Sequence, residues 1–439
     1  MGYLVYGLGI SGIACANFLT KTHKVSVYDD NKKLVKDLLD KKIIDCVALG
    51  KLNVQTLKSI DNIILSPTVR LSDRLLRIVH KLKINVWGEF EFASQFCVAP
   101  IFGVTGTNGK TTTVNFLHQI FLASNVKSHL VGNVGSAFSG EIDKIEANDK
   151  VVAELSSFQL ENVSNLKLES ASILNIAPDH MDRYTGFSQY SLAKENILKC
   201  LVNGKTWLNY DDKNLRLLGL NYAQSCFFSL KKLPNELEGV FIDDGFVYYK
   251  QGKQLDKLFS LDSFLIAGEH NKTNLLCAIG LAISAGLTSK QIETSLPLLK
   301  LPRHRLEFVK KVGSVSFYND SKATNLHAVM AALKVFKERV VLLLGGSDKG
   351  EDLSNLTLPK NVELVITFGE LGKKFYKALK GKVNIKSCEK LYDAVYSANK
   401  LAPPNSVVLL SPGGASFDEF SSYSERGEYF CELVNEIKV

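Results

Sequence analysis

The chain has 439 residues, too many for one compact core, so two to four domains are expected. Its composition, 46% hydrophobic and 22% charged, is that of an ordinary globular protein, and no apolar run reaches the roughly 18 residues of a transmembrane helix. The net charge of +8 comes from lysines dispersed along the chain, without the arginine-rich or aromatic–basic tracts of a nucleic-acid binder.

The eight cysteines form no CxxC pair, which argues against a zinc ribbon or a disulfide framework and fits a reducing cytoplasm. The uncharged first twenty residues lack a basic n-region and are broken by glycines, so they do not read as a signal peptide. In the first block, short apolar runs (YLVYGLGISG from Tyr3, KVSVYDD from Lys24, DCVALG from Asp45, NIILSP from Asn62) alternate with the helical patterns IACANFLTK and KKLVKDLLDKK. Such alternation predicts a parallel sheet with helices on its faces. A second block opens with the strand PIFGVTG and the helix KTTTVNFLHQIFLAS, followed by VVAEL, SASILNIAP and the helix NKTNLLCAIGLAISAG. LLKLPRHRLEF reads as a linker into a third block with VSFYND, HAVMAALKVF, RVVLLLGG, VELVITFG, LYDAVYSANKLA and SVVLLSPGG. The prediction is three α/β domains in series: a Rossmann-like domain over 1–98, a P-loop ATPase-like domain over 99–301 and a Rossmann-like domain over 302–439.

Two glycine-rich turns stand out. Gly106, Gly109, Lys110 and Thr111 lie between a strand and a helix, where inward-turned amides and the helix N-terminus attract phosphate. Lys110 would reach the β- and γ-phosphates and Thr111 a Mg²⁺ ion. A glycine-rich turn with an incidental lysine is the plainer alternative, and Val104 stands where a Walker loop has glycine. The other turn, GLGISG with Gly7, Gly9 and Gly12, is followed by Asp29 and Asp30, which read alone make a dinucleotide fingerprint.

Other candidates carry two readings each. Glu154, at the end of VVAEL, is either a hard oxygen ligand for the loop's metal or a cap for the next turn. His180 caps or orients a loop, or belongs to a site. Lys194 on a helix is ordinarily a solvated charge, and a cation does not bind Mg²⁺. Asn271 and Asn274, one turn apart, recognise a base or satisfy a buried helix start. Arg305 would neutralise phosphate on domain closure. Lys322, Thr324 and Lys349 lie in loops at strand ends and suit an acidic amino acid.

TGTNGKTT from Thr105, ELSSFQLE from Glu154, LNIAPDHMDRY from Leu174 and YSLAKENI from Tyr190 together resemble the Mur ligase and folylpolyglutamate synthetase superfamily. GEHNKTN, LPRHRLE, YNDSKATN, LLLGGSDKGED and LSPGGASFDEFSSYSERG extend the resemblance nearly to the C-terminus in the same order. SFQLE, DHMDRY, NDSKATN and SPGGASFDEF resemble the branch that adds D-glutamate to UDP-N-acetylmuramoyl-L-alanine, and the DNPR-like motif of the diaminopimelate-adding branch is absent.

The resemblance implies an ATP-dependent amide ligase working through an acyl phosphate, with Lys110, His180, Lys194 and Arg305 as catalytic residues. It implies an ATP site of Gly106, Thr107, Asn108, Gly109, Lys110, Thr111 and Thr112, joined by Asn271, Asn274, Arg305 and Asp320. The first turn would hold the UDP-sugar through Gly9, Ile10 and Ser11, helped by Asn133, Ser156 and His180. The amino acid would meet His180, Thr324, Lys349, Ser416 and Tyr423. Two Mg²⁺ ions are implied, on Thr111, Glu154, His180 and a CO₂-derived carbamate of Lys194. Asp30 and Asn31 stand where the family often has a small hydroxyl or basic residue, so the uracil contacts stay open. A cytoplasmic monomer is expected, without nucleic-acid partners or membrane insertion. A nicotinamide oxidoreductase using GLGISG and a non-catalytic nucleotide switch are the rival classes.

Overall fold

The computed structural model describes residues 1–437 except 162, 180, 182, 349–352, 354 and 355. The chain forms two compact units. One comprises Met1–Ile176, Tyr190–Leu265 and Thr273–Leu299, and the other Ala177–Gln189, Ile266–Lys272 and Lys300–Val439.

The first unit holds two sheets. The N-terminal sheet has β1 (Tyr3–Tyr6), β2 (Val25–Tyr28), β3 (Val47–Ala48), β4 (Asn62–Leu65) and β5 (Asn85–Gly88). Its order is β3-β2-β1-β4-β5 and every pairing is parallel. All four residues of β1, YLVY, are buried, as a strand covered on both faces requires.

The second sheet begins with β6 (Ile101–Thr105), β7 (Ser128–Gly132), β8 (Lys150–Glu154) and β9 (Ser170–Ile173). It continues with β10 (Thr206–Asn209), β11 (Ser225–Ser229), β12 (Gly239–Asp243), β13 (Phe246–Gln251) and β14 (Gln254–Ser260). The order is β14-β13-β12-β11-β10-β9-β6-β8-β7, parallel except for the meander β12–β14. That meander was not anticipated, although its first turn carries a plain signal: Asp244 and Gly245 both have positive φ, 47° and 76°, as a two-residue hairpin turn demands. The helix Glu269–Ser284 buries Leu275, Leu276, Cys277, Ala278 and Ile279 completely. Its Gly280 gives way to Trp207, whose indole would lie 2.5 Å from an added Cβ.

Two buried carboxylates join the sheets of this unit. Glu89, 2% exposed, accepts from the Ser139 amide at 2.9 Å and hydroxyl at 2.5 Å, and Glu91 accepts from the Ser164 amide at 2.7 Å.

The second unit holds β15 (Glu307–Val312), β16 (Val315–Asn319), β17 (Arg339–Gly345), β18 (Val362–Phe368), β19 (Asn384–Ser387) and β20 (Ser406–Gly413). The order is β15-β16-β20-β17-β18-β19, with only β15 antiparallel. β15 begins within the segment read as a linker, because its half-exposed alternation gives an edge strand without a long apolar run. β20, buried at every position, is central and ends in the glycine loop Gly413–Gly414. Among the described residues no helix is long and apolar enough to cross a membrane.

Candidate active site

β6 is buried throughout and runs into the loop 106–109, which opens the helix Lys110–Ala123. Gly109 has φ +87°, and a Cβ there would stand 2.3 Å from Asn274 Oδ1, so the loop can lie against the helix Glu269–Ser284 only with glycine at this position. Asn175 holds the loop from the end of β9. Its Oδ1 accepts the Asn108 amide at 2.9 Å, its Nδ2 donates to the Asn108 carbonyl at 3.0 Å, and its own carbonyl accepts the Thr107 amide at 2.9 Å. Lys110 Nζ donates to the carbonyls of Gly106 at 2.6 Å and Thr107 at 2.8 Å. A phosphate oxygen, being charged, is a stronger acceptor than either carbonyl. Thr111 and Thr112 are buried behind the lysine.

Glu154 ends β8 beside this loop, paired in register with Val104, and is 1% exposed. Asn133 lies on it: Nδ2 donates to Glu154 Oε1 at 2.8 Å and the Asn133 amide to the Glu154 carbonyl at 2.9 Å. The buried Glu154 carboxylate at a strand end and the hydroxyl of Thr111, buried in the first turn of the helix Lys110–Ala123, are hard oxygen donors of the kind Mg²⁺ takes. Lys194 is not a surface charge but 1% exposed. Its Nζ donates to the Gly106 carbonyl at 2.8 Å, the same oxygen that Lys110 reaches, and sits 4.6 Å from the Tyr190 ring centroid. Tyr190 Oη in turn lies 3.1 Å from Thr107 Oγ1. Ser156 forms a capping box with Gln159 at the start of the helix Ser157–Leu160. His180 lies outside the described residues.

The first glycine-rich turn is held differently. Gly12 is pressed on the Gly7 carbonyl, which an added Cβ would approach to 1.8 Å, whereas at Gly9 a Cβ would meet nothing within 4 Å. Asp29 Oδ2 accepts the Leu8 amide at 2.7 Å and Oδ1 the Asn31 amide at 2.8 Å. Asp30 accepts from the hydroxyls of Tyr6 and Tyr28, each at 3.1 Å. Burial, then Asp30, pushes the Tyr6 hydroxyl up to about 12. Both aspartates after the fingerprint thus serve the turn and its neighbouring strands, where a dinucleotide site would keep one for a ribose. Ile10 is 84% exposed at the helix start, with Ser11 half-buried beside it.

In the second unit Asp320 follows β16, and burial raises its carboxyl to about 7 against the opposing pull of Ser411 and Arg305. Its Oδ2 accepts from the Ser411 hydroxyl at 2.8 Å and its Oδ1 from the Leu306 amide at 3.3 Å. Arg305 stands between His304 and Leu306, both left-handed at φ 63° and 46°. For β-carbon residues such a conformation costs about 1–2 kcal/mol each, a strain that the surrounding bonds must hold. His304 is buried: Asn319 Nδ2 lies 2.9 Å from its Nδ1, and an added Cβ on Gly427 would meet that atom at 2.3 Å. Lys322 Nζ lies 3.7 Å over the Tyr423 ring, Thr324 is half-buried and Ser416 buried. Asn271 Nδ2 donates to the Ala267 carbonyl at 2.7 Å, so its amide serves its own helix start. Lys349 lies outside the described residues.

Two residues at these sites escaped the sequence reading: Asn175 and Tyr190. Each lies within a quoted motif, but nothing in its spacing showed what it faces.

Residues 2–88 match the Mur ligase MurD-like N-terminal domain, 104–282 the Mur ligase middle domain, and 304–414 the Mur ligase glutamate ligase domain. The UDP-N-acetylmuramoylalanine–D-glutamate ligase of Thermoanaerobacter sp. (strain X514) is 35% identical over 446 residues, covering 99% of this chain and 98% of that one. Among solved structures, a pseudomurein peptide ligase type C from Methanothermus fervidus is similar with a TM-score of 0.62 at 20% identity, each chain fully covered. The MurF ligase of Thermotoga maritima in complex with ADP is similar with a TM-score of 0.59 at 17% identity, over 91% of this chain and 90% of that one. At such identity these two likenesses concern the fold.

Proposed function

The chain belongs to the Mur ligase family, on the branch of the D-glutamate-adding ligases, and on that premise we propose that it joins D-glutamate to UDP-N-acetylmuramoyl-L-alanine, driven by ATP. The observation that carries the proposal is the reach of the likeness: identity of 35% runs across 99% of the chain and leaves no domain for another task.

A carboxylate is a poor electrophile with no good leaving group, so it must be activated. The L-alanyl carboxylate attacks the γ-phosphorus, the bond to the β–γ bridging oxygen breaks, and ADP leaves an acyl phosphate. The D-glutamate amine then attacks the acyl carbon and loses a proton, and inorganic phosphate departs from the tetrahedral intermediate.

In this chain Lys110 would exchange the carbonyls of its own loop for phosphoryl oxygens, following the developing charge. The loop Gly106–Thr112 cradles the phosphates, Asn271, Asn274 and Asp320 take the nucleoside, and Arg305 the transferring phosphoryl group. Thr111 and Glu154 would hold one Mg²⁺, whose charge lowers the repulsion between carboxylate and phosphate. A second ion would draw on His180 and Lys194. For that, the neutral Lys194 amine takes up CO₂ and releases a proton, leaving an anionic carbamate.

Gly9, Ile10, Ser11, Asn133 and Ser156 are assigned to the UDP-sugar, and His180, Thr324, Lys349, Ser416 and Tyr423 to D-glutamate. Residues 1–98 then grip UDP, 99–301 ATP and 302–439 the amino acid. We place the enzyme in the cytoplasm as a monomer. The test is phosphate release from ATP and Mg²⁺ with UDP-N-acetylmuramoyl-L-alanine, comparing D-glutamate with L-glutamate, L-alanine and diaminopimelate. Release dependent on both substrates and favouring D-glutamate supports the reading. Release with another amino acid overturns the branch, and none from folded, ATP-binding protein overturns the ligase.

A further inference from the structure

The helix Tyr423–Glu436 carries a buried charge that the proposed chemistry does not use. Arg426 is 1% exposed, and its guanidinium makes four hydrogen bonds. Nε donates to Ser321 Oγ at 2.9 Å, Nη2 to the carbonyls of Ser321 at 2.8 Å and Gly414 at 3.1 Å, and Nη1 to the Ala415 carbonyl at 2.9 Å. All four acceptors are neutral, and among the described residues no carboxylate bonds to it. We propose that Arg426 is the positioning residue of the amino-acid pocket, fixing the loop after β16 against the loop after β20. This rests on the reading of Thr324 and Ser416 as ligands of D-glutamate.

The loop after β16 runs through Ser321 to Lys322 and Thr324, and the loop after β20 through Gly414 and Ala415 to Ser416. The two are about ninety residues apart in sequence and meet on one planar group. Ser321 Oγ also donates to the Tyr423 carbonyl at 2.8 Å, tying the same cluster to the start of the helix. The loop after β17 joins through the Ser347 amide, 2.8 Å from the Ala415 carbonyl. Gly346 makes room for this arrangement, since an added Cβ would come within 2.8 Å of Nη1.

The residue type follows from the geometry. Only a guanidinium offers a flat fork of donors that reaches two loops at once, whereas a lysine ammonium concentrates its donors at one point. A buried cation is costly unless compensated, and among the described residues only Asp418 and Glu419 act on it, from beyond hydrogen-bonding distance. A pocket shaped by an under-compensated cation favours an acidic amino acid over a neutral one.

The test is steady-state phosphate release by the full chain as wild type, Arg426→Lys and Arg426→Met, with melting temperatures measured alongside. In both variants the KM for D-glutamate should rise about tenfold or more, as loss of charged hydrogen bonds implies, while the KM values for ATP and the UDP-sugar stay within about twofold. An unchanged KM for D-glutamate in either variant, restoration by lysine, or equal loss for all three substrates overturns the proposal. If neither variant folds, Ser321→Ala removes one acceptor and leaves the arginine. Its KM for D-glutamate should rise by about threefold, and no rise overturns the proposal. A wild type that uses another amino acid sinks the D-glutamate reading, and the same comparison run with that amino acid still tests Arg426. A wild type without turnover removes both.

Discussion

The turns Gly7–Gly12 and Gly106–Lys110 share one plan, a buried parallel strand feeding a glycine loop and a helix, yet they are held by opposite charges. In the first, the Asp29 carboxylate takes the Leu8 amide and Gly12 closes on the Gly7 carbonyl. In the second, the Nζ atoms of Lys110 and Lys194 both donate to the Gly106 carbonyl, and the neutral amide of Asn175 does the bracing. Glycines therefore specify the path of the backbone, and the side chains around it decide how much negative charge the turn can accept. On the proposed reading the second turn, with Lys110 beside it, meets a triphosphate. The first, with a carboxylate beneath it, suits a ligand held by shape and a few amides.

The sharpest way to break this contrast is to remove the cation. Lys110→Ala should lower turnover by about a thousandfold or more with the fold intact, if its positive charge follows the transferring phosphoryl group as proposed. Retained activity would return the second turn to the status of the first. Lys194→Ala should cost about a hundredfold and be partly rescued by formate or acetate if a carbamate carries the metal. Measured as phosphate release, loss without rescue would leave Lys194 as a cation that braces Gly106.

The first turn should fail by folding instead of chemistry. Gly12→Ala drives a methyl against the Gly7 carbonyl and should destabilise the protein by about 3 kcal/mol, read from denaturant unfolding. An unperturbed midpoint would mean that the helix Ile10–Thr20 can lift away from the turn at no cost.

Strand alternation and the glycine spacings foretold three α/β sheets and both turns, because backbone sterics leave few ways to write them. Asn175 was hidden because an asparagine after an apolar run reads as a strand end, and its partners depend on the register of β6 with β9. Arg426 was hidden for a related reason: in a helical pattern a charged residue reads as solvent-facing, and one of the two loops it joins, at Ser321, lies 105 residues away in sequence. Of the left-handed pair, His304 is of a type enriched in that conformation, whereas Leu306 carries no local signal.

Asp320 gives a smaller effect with a definite sign. Its carboxyl is raised from the ordinary 3.8 to about 7, chiefly by burial, so between those pH values the folded state binds a proton that the unfolded state lacks. The contribution is fully present below 3.8 and is lost as pH rises through 7. The melting temperature of wild type should therefore fall more steeply than that of Asp320→Asn over pH 5–8, by about 2 °C or more. Parallel slopes would mean that Ser411 and Arg305 hold the carboxylate ionised throughout.

The finest test compares the same substitution in both turns. At Gly109 an alanine is forbidden by the left-handed backbone and by Asn274. At Gly9 the backbone is extended, φ −73° and ψ −171°, and a methyl meets nothing within 4 Å. Gly9→Ala should therefore change stability by less than about 0.5 kcal/mol. The glycine is then not required by the fold, and what requires it is a ligand that approaches the backbone closely. The KM for UDP-N-acetylmuramoyl-L-alanine should rise by about tenfold, the KM for ATP staying unchanged. A stable variant with an unaltered KM for the UDP-sugar would separate the first turn from the diphosphate, leaving Asn133 and Ser156 to hold that end of the substrate.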